Sequence, residues 1–151
     1  MLYMIIAASI CLLDFIIKTQ IEKKRELGTV TELFGGRIFL RKYHNKGVAM
    51  DALKRWPWLV RILSGMVLLF VCILLFPLLK ERGSRGLKLG LSLMLGGGAS
   101  NFYDRIKRGY VVDYFSFKSR FPKVQRVVYN LSDCFIFLGA ILMLIFHNKK
   151  G

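Results

Sequence analysis

The stretch WLVRILSGMVLLFVCILLFPLL, residues 58–79, decides the fold of this chain. Its 22 residues contain one charged side chain, Arg61. An α-helix rises about 1.5 Å per residue, so a helix of this length spans about 33 Å. That is enough to cross the roughly 30 Å hydrocarbon core of a bilayer. The stretch therefore predicts a transmembrane helix.

Three further apolar stretches predict helices at about 1–18, 87–104 and 127–146. Residues 127–146 are long enough to cross a bilayer directly, whereas the other two need support from neighbouring helices or from their flanks. We interpret residues 1–18 as an uncleaved first helix, because no small-residue cleavage site follows the apolar run. The prediction is an integral membrane protein, mainly α, with four transmembrane helices in one polytopic domain, residues 1–151.

Composition and charge exclude several classes of protein. The chain is 54% hydrophobic, which excludes a disordered basic tail, and its three cysteines are too few for a secreted disulfide scaffold. Its 24 basic and 9 acidic residues give a net charge of +15. This charge is spread over every connecting segment without an RNA-binding motif, so anionic lipid headgroups explain it better than nucleic acid. We expect Lys42, Lys46 and Arg120 at that anionic surface. A basic membrane-surface binding protein is the alternative.

The polar segments between the helices predict a small β element. TVT at residues 29–31 and RIFL at residues 37–40 flank two glycines, and YVV at residues 110–112 is a third run of strand-forming residues. We therefore expect a β-rich segment at about 19–57 plus 105–126. The three glycines at residues 96–98 predict close packing of the third helix against a neighbour, with a flexible break as the alternative.

Four of the nine acidic residues lie in or beside apolar stretches, where a charge is expensive and is a functional candidate. They are Asp14, Asp104, Asp113 and Asp133.

Two of these acids have structural alternatives. Asp104 could pair with Arg105 or Arg108, and Asp133 could occupy the third position of a helix capped by Asn130. Asp113 lies among apolar residues with no basic residue closer in sequence than Arg108 or Lys118, so burial should raise its pKa.

Two close carboxylates share a proton, because both cannot ionise easily. The ionised acid can activate a water molecule while the protonated acid polarises a peptide carbonyl, which is the chemistry of aspartic peptidases. This chemistry needs no metal and no cofactor, and the sequence contains neither a Cys/His zinc spacing nor HExxH.

Several motifs in one order resemble the lipoprotein signal peptidases (signal peptidase II) across nearly the whole chain. These motifs are LDFIIK at 13–18, NKGVAM at 45–50, GGGASNFYDR at 96–105, GYVVDYF at 109–115 and YNLSD at 129–133.

The resemblance implies an enzyme that removes the signal peptide from prolipoproteins just before a diacylglyceryl-modified cysteine. It implies that Asp113 and Asp133 are the catalytic pair. The residues that it implies as support for the site are Asn45, Gly47, Asn101, Asp104, Arg105 and Asn130. It further implies that Asp14 and Lys18 brace the first helix and that Asn45 and Gly47 belong to an extracytoplasmic β-cradle.

The resemblance also implies a cellular setting. The protein would be a multi-pass monomer of the bacterial cytoplasmic (inner) membrane, with both termini in the cytoplasm. Its partners would be membrane lipid, the prolipoprotein substrate and lipopeptide antibiotics that inhibit the family, and not nucleic acid.

Four residues depart from the usual pattern of the family: Phe15, Met50, Ser100 and Ser132. Ser100 stands where glycine is frequent and Ser132 where alanine is frequent, so both change polarity beside the acids. None of the four removes a carboxylate. A catalytically inactive or divergent paralogue that binds lipoproteins or lipopeptides is the alternative.

Overall fold

A computed structural model describes residues 1–47 and 53–147 of the chain. In these residues it contains five helices and three strands. They are, in chain order, α1 (Leu2–Lys24), β1 (Val30–Leu33), β2 (Ile38–Asn45), α2 (Pro57–Lys80), α3 (Arg85–Lys107), β3 (Val111–Phe117), α4 (Pro122–Gln125) and α5 (Leu131–His147).

Within the described part of the chain, α1 and α2 are long and apolar enough to cross a membrane. Helix α5 is apolar but has 17 residues, about 26 Å of helix. Helix α3 has 23 residues and buries about half of them. Because α3 packs against other helices, only part of its surface would have to be apolar if it crossed a membrane. The mainly helical architecture is confirmed, and the number of four spans stays a prediction.

All four long helices differ from their predicted bounds by one to six residues, and contacts with the sheet explain the shifts of two of them. Helix α1 continues to Lys24, six residues beyond the predicted end, because Ile21 packs against Val112 and Tyr114 of the sheet. Helix α5 begins at Leu131, four residues after the predicted start. The residues before it are extended because Tyr129 exchanges backbone hydrogen bonds of 2.7 and 3.0 Å with Phe115.

Helix α3 is the central helix, and its glycines set how closely the others approach. A Cβ atom on Gly96 would lie 2.6 Å from the carbonyl oxygen of Ala7 in α1. A Cβ on Gly97 would lie 2.6 Å from the carbonyl oxygen of Ser132 in α5. Helix α3 runs unbroken through this segment. The close-packing interpretation of residues 96–98 is therefore correct and the flexible break is wrong.

The three strands form one antiparallel sheet in the order β1-β2-β3. The small β element is therefore confirmed, although it starts after α1 rather than at residue 19. An irregularity between Leu40 and Tyr43 shifts the register, so that Tyr43 pairs with Asp113 and Asn45 with Val111. The outer strand β1 is exposed along its length. The opposite edge strand, β3, is nearly all buried and lies over the ends of the helices.

The ammonium of Lys42, which the sequence predicts at an anionic surface, is bound to the end of α1. It donates to the carbonyl oxygens of Glu22 (2.8 Å) and Arg25 (3.1 Å). These carbonyls lack partners within the helix, so a cation there is stabilising. Lys42 therefore fastens β2 to α1.

Substitution of Gly97 by alanine should lower the thermal stability of the protein in detergent. The new methyl group meets backbone and Ile136 in α5, and overpacking of this kind costs about 1–3 kcal/mol. Gly98→Ala is the matched control, because its Cβ meets only the end of the Leu68 side chain, at 3.2 Å. Unfolding followed by intrinsic fluorescence should show a lower midpoint for Gly97→Ala alone. Equal midpoints would contradict the packing of α3 against α5.

Candidate active site

A cavity of about 850 Å³ lies between α2, α3 and α5, below β3. Its polar end is formed by side chains that the sequence had singled out: Asn45, Asn101, Arg105, Asp113 and Asp133. Its walls are apolar and come mainly from α2 and α5. Five of the predicted site residues therefore line one cavity, although they come from four different segments.

Asp113 reaches the cavity from β3 and is 2% exposed. Each of its carboxylate oxygens accepts a hydrogen bond from an asparagine: Oδ2 from Asn45 Nδ2 at 3.0 Å and Oδ1 from Asn130 Nδ2 at 2.6 Å. Burial, followed by the nearby charge of Asp133, raises the pKa of Asp113 to about 7. Asp113 can therefore hold a proton close to neutral pH.

Asp133 reaches the cavity from the first turn of α5. Its backbone N–H donates to Asn130 Oδ1 at 2.9 Å, and its Oδ2 accepts from the backbone N–H of Asn130 at 3.1 Å. This reciprocal pair is a capping box, so the capping role considered for Asn130 and Asp133 is real. The other carboxylate oxygen of Asp133 accepts from Asn101 Nδ2 at 2.9 Å. The cap fixes Asp133 in place without removing it from the cavity.

Asn130 contacts both acids at once. Its side-chain amide donates to Asp113 while its backbone N–H donates to Asp133. The side chain of Asn130 is fully buried, so these contacts are shielded from solvent. One residue thus holds the two carboxylates to the same cavity.

Behind the two acids lies a buried ion pair between Asp14 and Lys18. The Lys18 ammonium is 2.7 Å from Asp14 Oδ2, and neither side chain is exposed. Lys18 also donates to Asn101 Oδ1 at 2.7 Å, which orients the amide that binds Asp133. Helix α1 is therefore connected to the site through one lysine and one asparagine.

The two serines that depart from the family pattern both bind this pair. Ser100 Oγ and Ser132 Oγ each donate to Asp14 Oδ2 at 2.6 Å. The phenol of Tyr114 donates to Asp14 Oδ1 at 3.0 Å. Asp14 therefore accepts hydrogen bonds from α3, α5 and β3 as well as from its own helix.

The arginine that pairs with Asp104 is Arg108, not Arg105. Asp104 lies 3.3 Å from Arg108 Nε and 3.3 Å from Lys18 Nζ, and it accepts from the backbone N–H of Val112 at 3.2 Å. Residue i+4 shares a helix face with residue i, whereas residue i+1 points away from it. Asp104 thus joins α1, α3 and the start of β3.

Arg105 points to the cavity instead. Its guanidinium donates to the carbonyl oxygens of Asn101 at 3.4 Å and Gly47 at 3.3 Å. Within residues 1–47 and 53–147, its buried Nε has no hydrogen-bond partner. The Gly47 N–H donates to Asn45 Oδ1 at 3.0 Å, which fixes the amide that binds Asp113. Ala49 and Met50 of the same motif lie outside the described residues.

Sequence reasoning missed Tyr114. It lies one residue after Asp113 in β3, and successive strand residues point to opposite faces. A cavity-facing Asp113 therefore places Tyr114 toward the helices, and that alternation is the signal that could have identified it.

The described residues show no other constellation that competes for the site. No group of three or more His, Cys, Asp or Glu side chains among them is placed to hold a metal ion. The His44 ring stacks on the Tyr110 ring with their centres 3.8 Å apart, and His44 Nε2 lies within hydrogen-bond distance, 3.0 Å, of Glu22 Oε2. His44 is therefore engaged with Glu22 and Tyr110 rather than with a cysteine.

Comparisons with known proteins identify the family of this chain. The family model described as signal peptidase (SPase) II matches residues 6–148. A lipoprotein signal peptidase of Lactiplantibacillus plantarum is 32% identical over 145 residues, which cover 95% of this chain and 92% of that protein.

Two solved structures, each described as a bacterial membrane enzyme, share the fold. One has a TM-score of 0.81 at 22% identity, and the match covers 97% of this chain and 87% of that protein's chain. The other has a TM-score of 0.73 at 20% identity, and the match covers 95% of this chain and 90% of that protein's chain. Because the family model spans nearly the whole chain and the relative exceeds 30% identity, this chain belongs to the signal peptidase II family.

Proposed function

We propose that this chain is a membrane aspartic endopeptidase that cuts prolipoproteins just before a diacylglyceryl-modified cysteine. Membership of the signal peptidase II family makes it a peptidase that removes signal peptides from prolipoproteins. The observation that carries the aspartic mechanism is the pair Asp113 and Asp133, bound by three asparagines at one end of an apolar cavity.

The two acids differ in their surroundings, which assigns their roles. Asp113 keeps a proton near neutral pH because its pKa is raised to about 7. Asp133 is the ionised partner, because its negative charge is one of the causes that raise the pKa of Asp113. Asp133 is therefore the general base and Asp113 the general acid.

The proposed reaction proceeds in two steps. In the first, Asp133 takes a proton from a water molecule as its oxygen attacks the scissile carbonyl carbon, and Asp113 gives its proton to the carbonyl oxygen. In the second, Asp133 gives its proton to the leaving nitrogen while Asp113 takes one hydroxyl proton back. The C–N bond breaks, and the products are a carboxylic acid and an amine.

Arg105 supports this site as a fixed positive charge. Because its Nε has no partner within the described residues and the side chain lines the cavity, it can donate to a carbonyl oxygen of the substrate. A charge-assisted hydrogen bond of this kind is strong in a buried site. Asn45, Gly47, Asn101, Asp104 and Asn130 hold the acids, and Asp14 with Lys18 braces them from α1.

The apolar walls of the cavity suit the acyl chains of the substrate. Val67 of α2 and Phe137 of α5 line the cavity and are also 60% and 70% exposed. The mouth of the cavity therefore lies on the apolar outer surface of the helices, where lipid would be. A substrate with two acyl chains can reach the acids without leaving the membrane, since each buried methylene contributes about 0.8 kcal/mol.

The same proposal includes the placement of residues 1–151 in the membrane as one domain. Helices α1, α2, α3 and α5 would be the four spans of a bacterial cytoplasmic (inner) membrane protein with both termini cytoplasmic. The sheet would then form the extracytoplasmic β-cradle, with Lys46 and Arg120 near lipid headgroups. A monomer suffices because one chain supplies every site residue, and lipopeptide antibiotics would occupy the same cavity.

Asp113→Asn should abolish cleavage of a diacylglyceryl-modified prolipoprotein. The amide has nearly the shape of the carboxyl group but cannot act as the acid, and general acid–base catalysis contributes on the order of 10²–10⁴-fold. The measurement is a gel-shift cleavage assay on purified protein. Glu32→Gln makes the same chemical change in the exposed strand β1 and should cleave like the wild type. Full activity of Asp113→Asn would exclude the dyad, and an inactive wild type would favour the non-cleaving paralogue.

Cleavage should fall as the pH rises through about 7. Below the pKa of about 7, Asp113 carries the proton that the acid needs, and above it the proton is lost. Initial rates at saturating substrate, measured across that pKa in one detergent, should show this alkaline decline. A rate that stays constant well above the pKa would contradict the role of Asp113 as general acid.

An unlipidated peptide of the same sequence should be cleaved orders of magnitude more slowly than its diacylglyceryl form, since it lacks the acyl chains that partition into the apolar cavity. Parallel time courses in one detergent measure the ratio of kcat/KM. Equal values would show that the lipid is not recognised, and a general intramembrane peptidase would then replace the present proposal.

A further inference from the structure

The phenol of Tyr114 connects two parts of the site that carry different acids. Tyr114 is 6% exposed and follows Asp113 directly in β3. Its hydroxyl donates to Asp14 Oδ1 at 3.0 Å and accepts from the backbone N–H of Leu131 at 2.9 Å. Leu131 is the first residue of α5, two residues before Asp133.

Asp14 completes the connection because it binds a neighbour of each acid. Its Oδ1 accepts from Tyr114, the residue after Asp113. Its Oδ2 accepts from Ser132, the residue before Asp133. One carboxylate therefore joins the strand that carries Asp113 to the helix that carries Asp133, from the side opposite the cavity.

We propose that Tyr114 is a positioning residue that sets the separation of Asp113 and Asp133 through its bonds to Asp14 and Leu131. This inference rests on the catalytic dyad proposed above and adds a residue to it. Tyr114 touches neither the substrate cavity nor the reacting atoms, since it is not among the residues that line the cavity. Its effect on the reaction passes through the two acids.

The Leu131 N–H gives the phenol a specific task. The first N–H groups of a helix have no partner within the helix and need one from outside. The capping box of Asn130 and Asp133 uses the N–H of Asp133, and the Tyr114 hydroxyl satisfies that of Leu131. Without the hydroxyl, the first N–H group of α5 loses its hydrogen bond to the Tyr114 side chain on β3.

The hydroxyl remains a donor over the whole working range of pH. Burial, and then the negative charge of Asp14, raises the pKa of Tyr114 above its ordinary value. The contact with Asp14 is therefore always a hydrogen bond from a neutral phenol to a carboxylate.

Tyr114→Phe removes this one oxygen atom and leaves the ring in place. With the dyad less firmly spaced, kcat should fall about tenfold or more, since a displacement of about 1 Å can cost on the order of 10²-fold. KM should stay within about twofold, because the walls of the cavity are unchanged. Tyr103→Phe is the matched control, because Tyr103 lies on α3 with 43% exposure.

The pH profile of kcat separates positioning from a loss of folded protein. Two coupled carboxyl groups titrate at separated apparent pKa values, and weaker coupling brings these values together. The other charges near the dyad, those of Lys18, Arg105, Asp14 and Asp104, are the same in both proteins. The pH profile of kcat is bell-shaped, because Asp133 must be ionised and Asp113 protonated. This profile should therefore narrow from both sides in Tyr114→Phe and keep its width in Tyr103→Phe.

Two results would overturn the inference: a kcat equal to that of the wild type, or a lower kcat with an unchanged profile. If Tyr114→Phe does not fold, Ser132→Ala tests the same linkage from α5, and an unchanged profile there overturns it too. Asp113→Asn belongs in the same series. Its activity would refute the dyad, whereas an inactive Asp113→Asn beside a fully active Tyr114→Phe would refute the role of Tyr114 alone.

Discussion

The rest of the site depends on the buried ion pair between Asp14 and Lys18. Both side chains are completely inaccessible to solvent, and isolated buried charges would be very costly. The cost is offset because Asp14 accepts three hydroxyl donors besides Lys18, and Lys18 contacts Asp104 and Asn101 as well. Each of these partners belongs to another part of the fold, so the charges are satisfied only when α1, α3, β3 and α5 come together. Loss of one partner of such a pair typically costs about 3–5 kcal/mol.

The glycines of α3 make these short contacts between helices geometrically feasible. Gly96 lets α1 approach and Gly97 lets α5 approach, at distances that no Cβ atom would allow. Ser100 and Asn101 follow on the same helix and reach Asp14 and Asp133. The glycines that allow close packing therefore lie one turn before the polar residues on α3. The polar contacts form because the helices approach closely there. The result is an arrangement in which both acids are held before any substrate arrives, which is the condition for efficient acid–base catalysis.

The sequence predicts those parts of the molecule that depend on local patterns. Helix α2 follows from one apolar run, and the strands follow from short runs of strand-forming residues around glycines. Asp113 and Asp133 stand out because acids are rare beside apolar segments. Contacts between distant segments are not encoded locally, so the partner of Asp104 and the roles of Tyr114, Ser100 and Ser132 emerge only from the folded chain. The sequence also predicts the start of α5 too early, because Tyr129 pairs with Phe115 rather than continuing the helix.

The central claim is that Asp113 holds a proton near neutral pH beside an ionised Asp133. Infrared spectroscopy of the protein with isotope-labelled aspartate measures this directly, because protonated and ionised carboxyl groups absorb at different frequencies. The account predicts a protonated aspartate band that disappears as the pH is raised through about 7 and that is absent from Asp113→Asn. No such band below that pH, or a band that persists unchanged in Asp113→Asn, would contradict it.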